Sequence, residues 1–224
     1  MRPLVMAITG ASGAIYAVRL LQLLLASGRE IHLTISPSGA AVIRQELNID
    51  LPIDLKAMAI ASFLNSGIQP DTLDNSIVLQ AAQAAIVGGR LHVHQYQDYF
   101  TPIASGSFLT EAMVICPCSG GTLSGIVRSN SGNLIERAAE VHLKERRPLI
   151  VVPRETPLST FQLENMLRAS QAGIVVLPAA PGWYHGASHL SDLVDFVVAR
   201  ILDQLAIPHQ LMRPWRSDSL QAPG

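Results

Sequence analysis

The chain has 224 residues, room for one domain or at most two, and its 16 Lys+Arg against 17 Asp+Glu leave a formal charge of −1. That balance argues against a general nucleic-acid or polyanion binder, which carries a basic excess. Charged residues are 15%, against about 25% in an average globular domain, and hydrophobic residues are 49%, so the chain either buries itself very well or offers apolar surface to copies of itself.

Residues 3–9 (PLVMAIT) are a short apolar run ending at Gly10, the pattern of a strand buried on both faces. The loop Gly10-Ala11-Ser12-Gly13-Ala14 follows. Residues 15–27 read as a helix with Tyr16, Leu20, Leu23 and Leu24 on its apolar side and Gly28 as its stop. A second strand spans 31–36 and a second helix 38–47. Two strand–helix units joined by short turns predict a parallel sheet with right-handed crossovers. Residues 48–106 are interrupted by Pro52, Pro70 and Pro102. Apart from an Ala/Gln-rich helical stretch near 79–85, they are expected to form a less regular, peripheral segment. The regular pattern returns with a strand at 112–116, helices at 122–128 and 134–144, and a strand at 148–153. A helix at 160–171 with Gly173 past its end, a strand at 174–177 and an amphipathic helix at 190–205 complete it. The expectation is one open, doubly wound domain over 1–207 with a C-terminal tail over 208–224. In such sheets ligands sit at the carboxyl ends of the strands.

No apolar run reaches the roughly 18 residues of a membrane span. Met1-Arg2-Pro3 runs straight into a strand without the ordered regions of a signal peptide. Cys116 and Cys118 are too few for a disulfide framework, and Cys-x-Cys alone is not a zinc site. A reduced, cytoplasmic α/β protein is expected.

Chemistry is expected at three loops on one edge of the sheet. Glycines in Gly10-Ala11-Ser12-Gly13 let backbone approach a ligand, and N–H groups at a helix start attract phosphate. The loop lacks the spacing of a dinucleotide fingerprint, so no nicotinamide cofactor is indicated. Ser36 ends the second strand, where it suits a helix cap before Pro37. Pro117-Cys118-Ser119-Gly120-Gly121-Thr122 ends the 112–116 strand, and its small residues leave room for a flat ligand. Each loop alone reads equally well as a turn. Arg154 and Glu155 follow a buried strand directly, offering a planar fork for phosphate and a carboxylate for proton transfer. Arg137, Lys144, Arg146 and Arg147 crowd the stretch before them, in which Glu145-Arg146-Arg147 reads as a solvated face. Arg200 lies among Val197, Val198 and Ile201 and needs a partner, an internal carboxylate by default. His92 and His94 alternate on one strand face, but no carboxylate or cysteine stands at a convincing ligand spacing, which disfavours a metal site. No G-x-S-x-G elbow is present, so a hydrolase triad has no support.

Five blocks carry a resemblance: ITGASGAIYAVRLL (8–21), ASGSF (104–108), MVICPCSGGTLSGI (113–126), NLIERAAEVHLKERRPLIVVPRETPLS (133–159) and LPAAPGWYHGASHLSDLVDFVVARILDQL (177–205). With them the chain resembles the UbiX family of flavin prenyltransferases over nearly its whole length. The resemblance implies a Rossmann-like, flavodoxin-type three-layer αβα sandwich with a mainly parallel sheet, assembled as a homododecamer. It implies metal-free transfer of a dimethylallyl group from dimethylallyl phosphate to N5 and C6 of reduced FMN. The product, prenylated FMN, would serve UbiD-type decarboxylases, including one in ubiquinone synthesis. Carried over by position, Gly10, Ala11, Ser12, Ser36, Ser119, Gly120, Gly121, Thr122 and Arg154 match flavin-contacting positions. Tyr184 and Arg200 match binders of the prenyl phosphate, and Lys144 matches a lysine at the phosphate site. Glu46, Arg137 and Glu155 match active-site positions implicated in catalysis, and the resemblance gives Arg200 a substrate phosphate as partner. Pro37 and the Gly120-Gly121 pair depart from the family's usual residues. Two other readings share the fold group. An FMN-dependent cysteine-type decarboxylase would carry Asn where Gly121 stands, together with a P-x-M-N-x-x-M-W motif absent here. A non-catalytic flavin-binding regulator would not need Lys144, Glu155, Tyr184 and Arg200 together.

Overall fold

The computed structural model describes residues 1–52, 57–66 and 73–212. Six strands form one sheet in the order β3-β2-β1-β4-β5-β6, every pair parallel. The strands are β1 (Leu4–Ile8), β2 (Ile31–Ile35), β3 (Leu91–His94), β4 (Ala112–Cys118), β5 (Leu149–Pro153) and β6 (Val175–Val176). The helices are α1 (Ala14–Ala26), α2 (Pro37–Leu47), α3 (Ile60–Leu64), α4 (Leu73–Val87), α5 (Gly120–Val127), α6 (Leu134–Lys144), α7 (Thr160–Gln171) and α8 (Leu190–Gln204). Among the described residues no helix is long and apolar enough to cross a membrane.

Strand alternation divides the core into two layers. Leu4, Met6 and Ile8 of β1 face the cluster built from α1, α3, α4 and α8, whereas Val5 and Ala7 face the cluster under α5, α6 and α7. Both faces of β1 are covered, which is why it reads as an unbroken apolar run. Leu20, Leu21, Leu24 and Leu25 of α1 are all buried, and truncating any one to Ala costs about 2–5 kcal/mol. Gly28 ends α1 at φ 80 and Gly173 follows α7 at φ 84, left-handed positions where a glycine avoids the Cβ clash. Arg19 of α1 and Asp195 of α8 form a two-pronged ion pair (2.6 and 3.0 Å) that is almost fully buried.

The segment read as peripheral needs correction. Its last strand, β3, pairs in register with β2, from Ile31 opposite Leu91 to Thr34 opposite His94. Its helix α4 runs over 73–87, longer than the 79–85 stretch, and places Ala82, Ala85 and Ile86 in the core. The rest of that segment at 53–56 and 67–72, and the tail beyond 212, lie outside the described residues. Strand order runs β1 to β2 to β3 on one side, then jumps to β4 on the other side of β1. The carboxyl ends of β1 and β4 therefore flank a topological switch point, the crevice where such sheets take ligands.

Candidate active site

The loops after β1, β2, β4 and β5 meet at this crevice. Thr9, buried at the end of β1, donates its hydroxyl to Pro117 O (2.9 Å) and accepts from Ser119 N (2.8 Å), locking the β4 loop to the β1 loop. Thr9 is a site-building residue that the sequence reading passed over, and its only signal was a hydroxyl at the end of an apolar run. Gly10 is required by proximity, since a Cβ there would lie 2.5 Å from Ser38 Cβ. Ser36 caps α2 as expected, accepting from Gly39 N at 3.0 Å, with its hydroxyl 3.1 Å from that of Ser38.

The start of α5 keeps backbone donors open. A helix leaves its first four N–H groups without intrahelical acceptors. Ser119 N is taken by Thr9 and Thr122 N by Ser119 Oγ (3.3 Å). The other two, on Gly120 and Gly121, have no intrahelical acceptor, and they stand beside the paired hydroxyls of Ser119 and Thr122 (3.0 Å apart). A Cβ on Gly121 would meet nothing within 4 Å, so the space over it is open.

The start of α1 differs from expectation. Its N–H groups on Gly13 and Ala14 are filled by the chain's own Glu46 carboxylate, at 3.0 and 2.7 Å. Glu46 comes from α2, 33 residues away, and it satisfies the helix dipole that a phosphate would otherwise use. Arg154 reaches back over the end of β4 and donates Nε to Ser12 O at 3.1 Å. Glu155 is exposed beside it, 3.4 Å from the Gln162 amide of α7. Tyr16 stands near Arg154 and Cys116, and burial holds its hydroxyl above the ordinary range. Burial likewise lifts the Cys118 thiol to about 12 and raises that of Cys116, so both stay protonated, unpaired and unreactive.

Four expected site residues lie on other elements than these loops. Arg137 lies on α6, donating to Ala104 O (3.1 Å) and Glu140 (3.0 Å). Lys144 ends α6, 3.2 Å from Glu145, just before β5 begins and therefore toward the amino end of the sheet. Arg200 pairs with Asp203 at 2.6 Å, the internal partner that its position on α8 suggested. Tyr184 is exposed and packs edge-on against Phe196, placing it one helical turn from Arg200 along α8. The last departure concerns the histidines. In-register pairing of β2 with β3 sets His32 beside His92 and His94, and Glu30 supplies the carboxylate that sequence spacing did not offer.

A flavin mononucleotide fits the donors present: the N–H groups at the start of α5, the hydroxyls of Ser36, Ser119 and Thr122, the Arg154 guanidinium, and open space over Gly121. Residues 1–202 match the Flavoprotein family. The flavin prenyltransferase UbiX of Pseudomonas aeruginosa is 46% identical over 215 residues, covering 96% of this chain and 94% of its own. The crystal structure of AnUbiX (PadA1), in complex with FMN and dimethylallyl pyrophosphate, superposes with a TM-score of 0.75 at 33% identity over 96% of this chain and 98% of that one. A dodecameric, FMN-dependent UbiX-like decarboxylase from Escherichia coli O157:H7 gives 0.72 at 36% identity, covering 92% and 96%. The chain belongs to the flavoprotein family and, within it, to the UbiX flavin prenyltransferases.

Proposed function

We propose that this chain joins the dimethylallyl group of dimethylallyl phosphate to N5 and C6 of reduced FMN, giving prenylated FMN for a UbiD-type decarboxylase. One observation carries the reading: a chain-length match to such enzymes coincides with small-residue loops gathered at one switch point. In the overall reaction the C–O bond to phosphate breaks and a C–N bond forms as N5 gives up its proton; the prenyl double bond then takes up a proton at C2 while its C3 bonds to C6, which loses its own. Reduced FMN supplies the electron-rich N5 and C6.

In this reading the chain's residues do the rest. The α5 start, with Ser36, Ser119 and Thr122, holds the phosphate of the mononucleotide. Arg154 spends one of its five donors on Ser12 and has four for the ligand. Glu155, exposed at the crevice, takes the C6 proton together with the released phosphate. Glu46 is a positioning residue, because its carboxylate is spent on the α1 start.

Arg137, Lys144, Tyr184 and Arg200 stabilise the leaving phosphate. The place of Lys144 at the end of α6, toward the amino end of the sheet, fits action across an interface between copies, as in a homododecamer. Arg200 exchanges Asp203 for phosphate at little cost, since its pair is half-exposed and such pairs contribute about 0–1 kcal/mol. The free thiols of Cys116 and Cys118 suit a reducing, cytoplasmic setting. The cysteine-decarboxylase reading lacks its loop asparagine, Gly121 standing in that place.

The test is anaerobic incubation of the purified protein with reduced FMN and dimethylallyl phosphate without added metal, followed by mass spectrometry of the extracted flavin. A gain of one five-carbon unit, lost in Arg200→Ala and Glu155→Ala, is expected. Unmodified flavin despite tight FMN binding would sink the reading.

A further inference from the structure

We propose that Glu30, His32 and His92 form a divalent transition-metal site, of zinc-like chemistry, that clamps the β2–β3 edge of the sheet. Each residue offers one ligand atom, and these atoms lie within 4.8 Å of one another. Glu30 Oε1 is 2.9 Å from His92 Nε2 and 3.5 Å from His32 Nε2. Tetrahedral zinc with bonds of about 2.0–2.2 Å sets neighbouring ligand atoms roughly 3.3 Å apart, between those two distances.

His32 provides the second, independent observation. Its side chain is only 5% exposed, yet its Nε2 makes no hydrogen bond. Buried polar atoms are nearly always partnered, so an orphan aimed at a carboxylate and a second imidazole asks for a ligand. The other ring nitrogen, Nδ1, lies 2.8 Å from His94 Nε2. With Nδ1–H donated to His94, the Nε2 of His32 presents its lone pair, the outer hydrogen bond that metal-bound histidines use to set ring orientation. Phe108 closes the inner side of the His32 ring at 4.9 Å, and the His92 ring stacks on it at 4.7 Å. Glu30 and His92 are 46% and 42% exposed, so water completes the coordination.

Two imidazoles and one carboxylate favour a borderline first-row ion over Mg²⁺ or Ca²⁺, which prefer oxygen ligands. The site is separate from the flavin crevice: His32 sits four residues before Ser36, roughly 13 Å along the strand. β3 is a four-residue edge strand, and a bound ion ties it to β2 through side chains as well as backbone.

The experiment uses full-length protein stripped with a chelator and titrated with Zn²⁺ by calorimetry, and with Co²⁺ by visible absorption. One ion per chain, tetrahedral Co²⁺ bands and a higher Tm with Zn²⁺ are expected. His92→Ala and Glu30→Gln, both changes at half-exposed side chains, should each lower affinity by at least about 100-fold while leaving FMN binding intact. His94→Ala, which removes only the outer hydrogen bond, should cost about 10–100-fold. No stoichiometric binding, or unchanged binding in both ligand variants, would overturn the proposal.

Discussion

The Arg154 guanidinium donates Nε to the carbonyl oxygen of Ser12 at 3.1 Å, joining the loops after β5 and β1 across 142 residues of sequence. Because β4 lies between those strands, the bond spans the carboxyl end of β4, from which Ser119–Thr122 follow. Arg154→Ala removes both this bond and a charged donor. A charge-assisted hydrogen bond contributes about 1.5–3 kcal/mol, so FMN affinity should fall roughly ten- to hundredfold. Fluorescence titration measures this. Arg154→Lys should recover only part, since an ammonium lacks the planar fork.

Glu46 and Glu155 should separate cleanly. Loss of the Glu46 cap in Glu46→Ala should destabilise the fold by about 1 kcal/mol, a fall in Tm of roughly 2–4 °C for a chain of this size. Glu155→Gln should leave Tm unchanged and alter the pH–rate profile of prenylation. A Glu46→Gln enzyme with the altered profile instead would reverse these assignments.

Two glycines at the crevice should respond oppositely when the protein is unfolded in urea without flavin. Gly10→Ala forces a Cβ onto Ser38 and should cost about 1–3 kcal/mol. Gly121→Ala meets open space inside a helix and should gain about 0.4–1 kcal/mol.

Asp195→Ala leaves Arg19 charged and buried between α1 and α8, and should destabilise by about 3–5 kcal/mol. Replacing both partners, as Arg19→Met with Asp195→Leu, should recover most of that stability, because the desolvation cost of the two charges goes with them. Urea midpoints of the three proteins decide it.

His142 predicts an acid-side loss of stability. It is buried, with Nδ1 2.7 Å from Ala138 O and Nε2 2.9 Å from Thr110 Oγ1, and burial holds its pKa below the ordinary 6.5. The folded state thus binds its proton less readily than the unfolded chain. The contribution is complete above pH 6.5 and is lost as pH falls toward the folded value. His142→Gln should flatten that part of a stability–pH curve, measured by urea unfolding at successive pH values. An unchanged slope would assign the loss to other groups.

Much of this protein is written in local pattern. β1, β4 and β5 are buried on both sides and read as apolar runs, β2 reads as an alternating strand, and β1, β2 and β4 are each closed by a small or capping residue. The loops at Gly10, Ser36 and Ser119 were legible because a parallel α/β sheet puts every such loop at the same edge. Pro37 and Ser36 announced the start of α2, and Gly28 and Gly173 the ends of α1 and α7.

Relationships between distant segments were not legible. β3 was seen as a strand-like alternation at His92 and His94 but not placed in the sheet, because it has four residues, two of them histidines, and α4 was shortened because an Ala/Gln-rich helix has little apolar periodicity to read. Glu46 at the start of α1 and Glu30 beside His92 are contacts across 33 and 62 residues, created by helix docking and strand register. The direction of α6 carries Lys144 away from the crevice that its own chain builds. Periodicity, caps and turn residues act within a few residues and leave a signature in sequence. Which charge meets which helix end, and which side chains share a sheet face, depends on the packed arrangement of whole elements, and only the tertiary structure decides that.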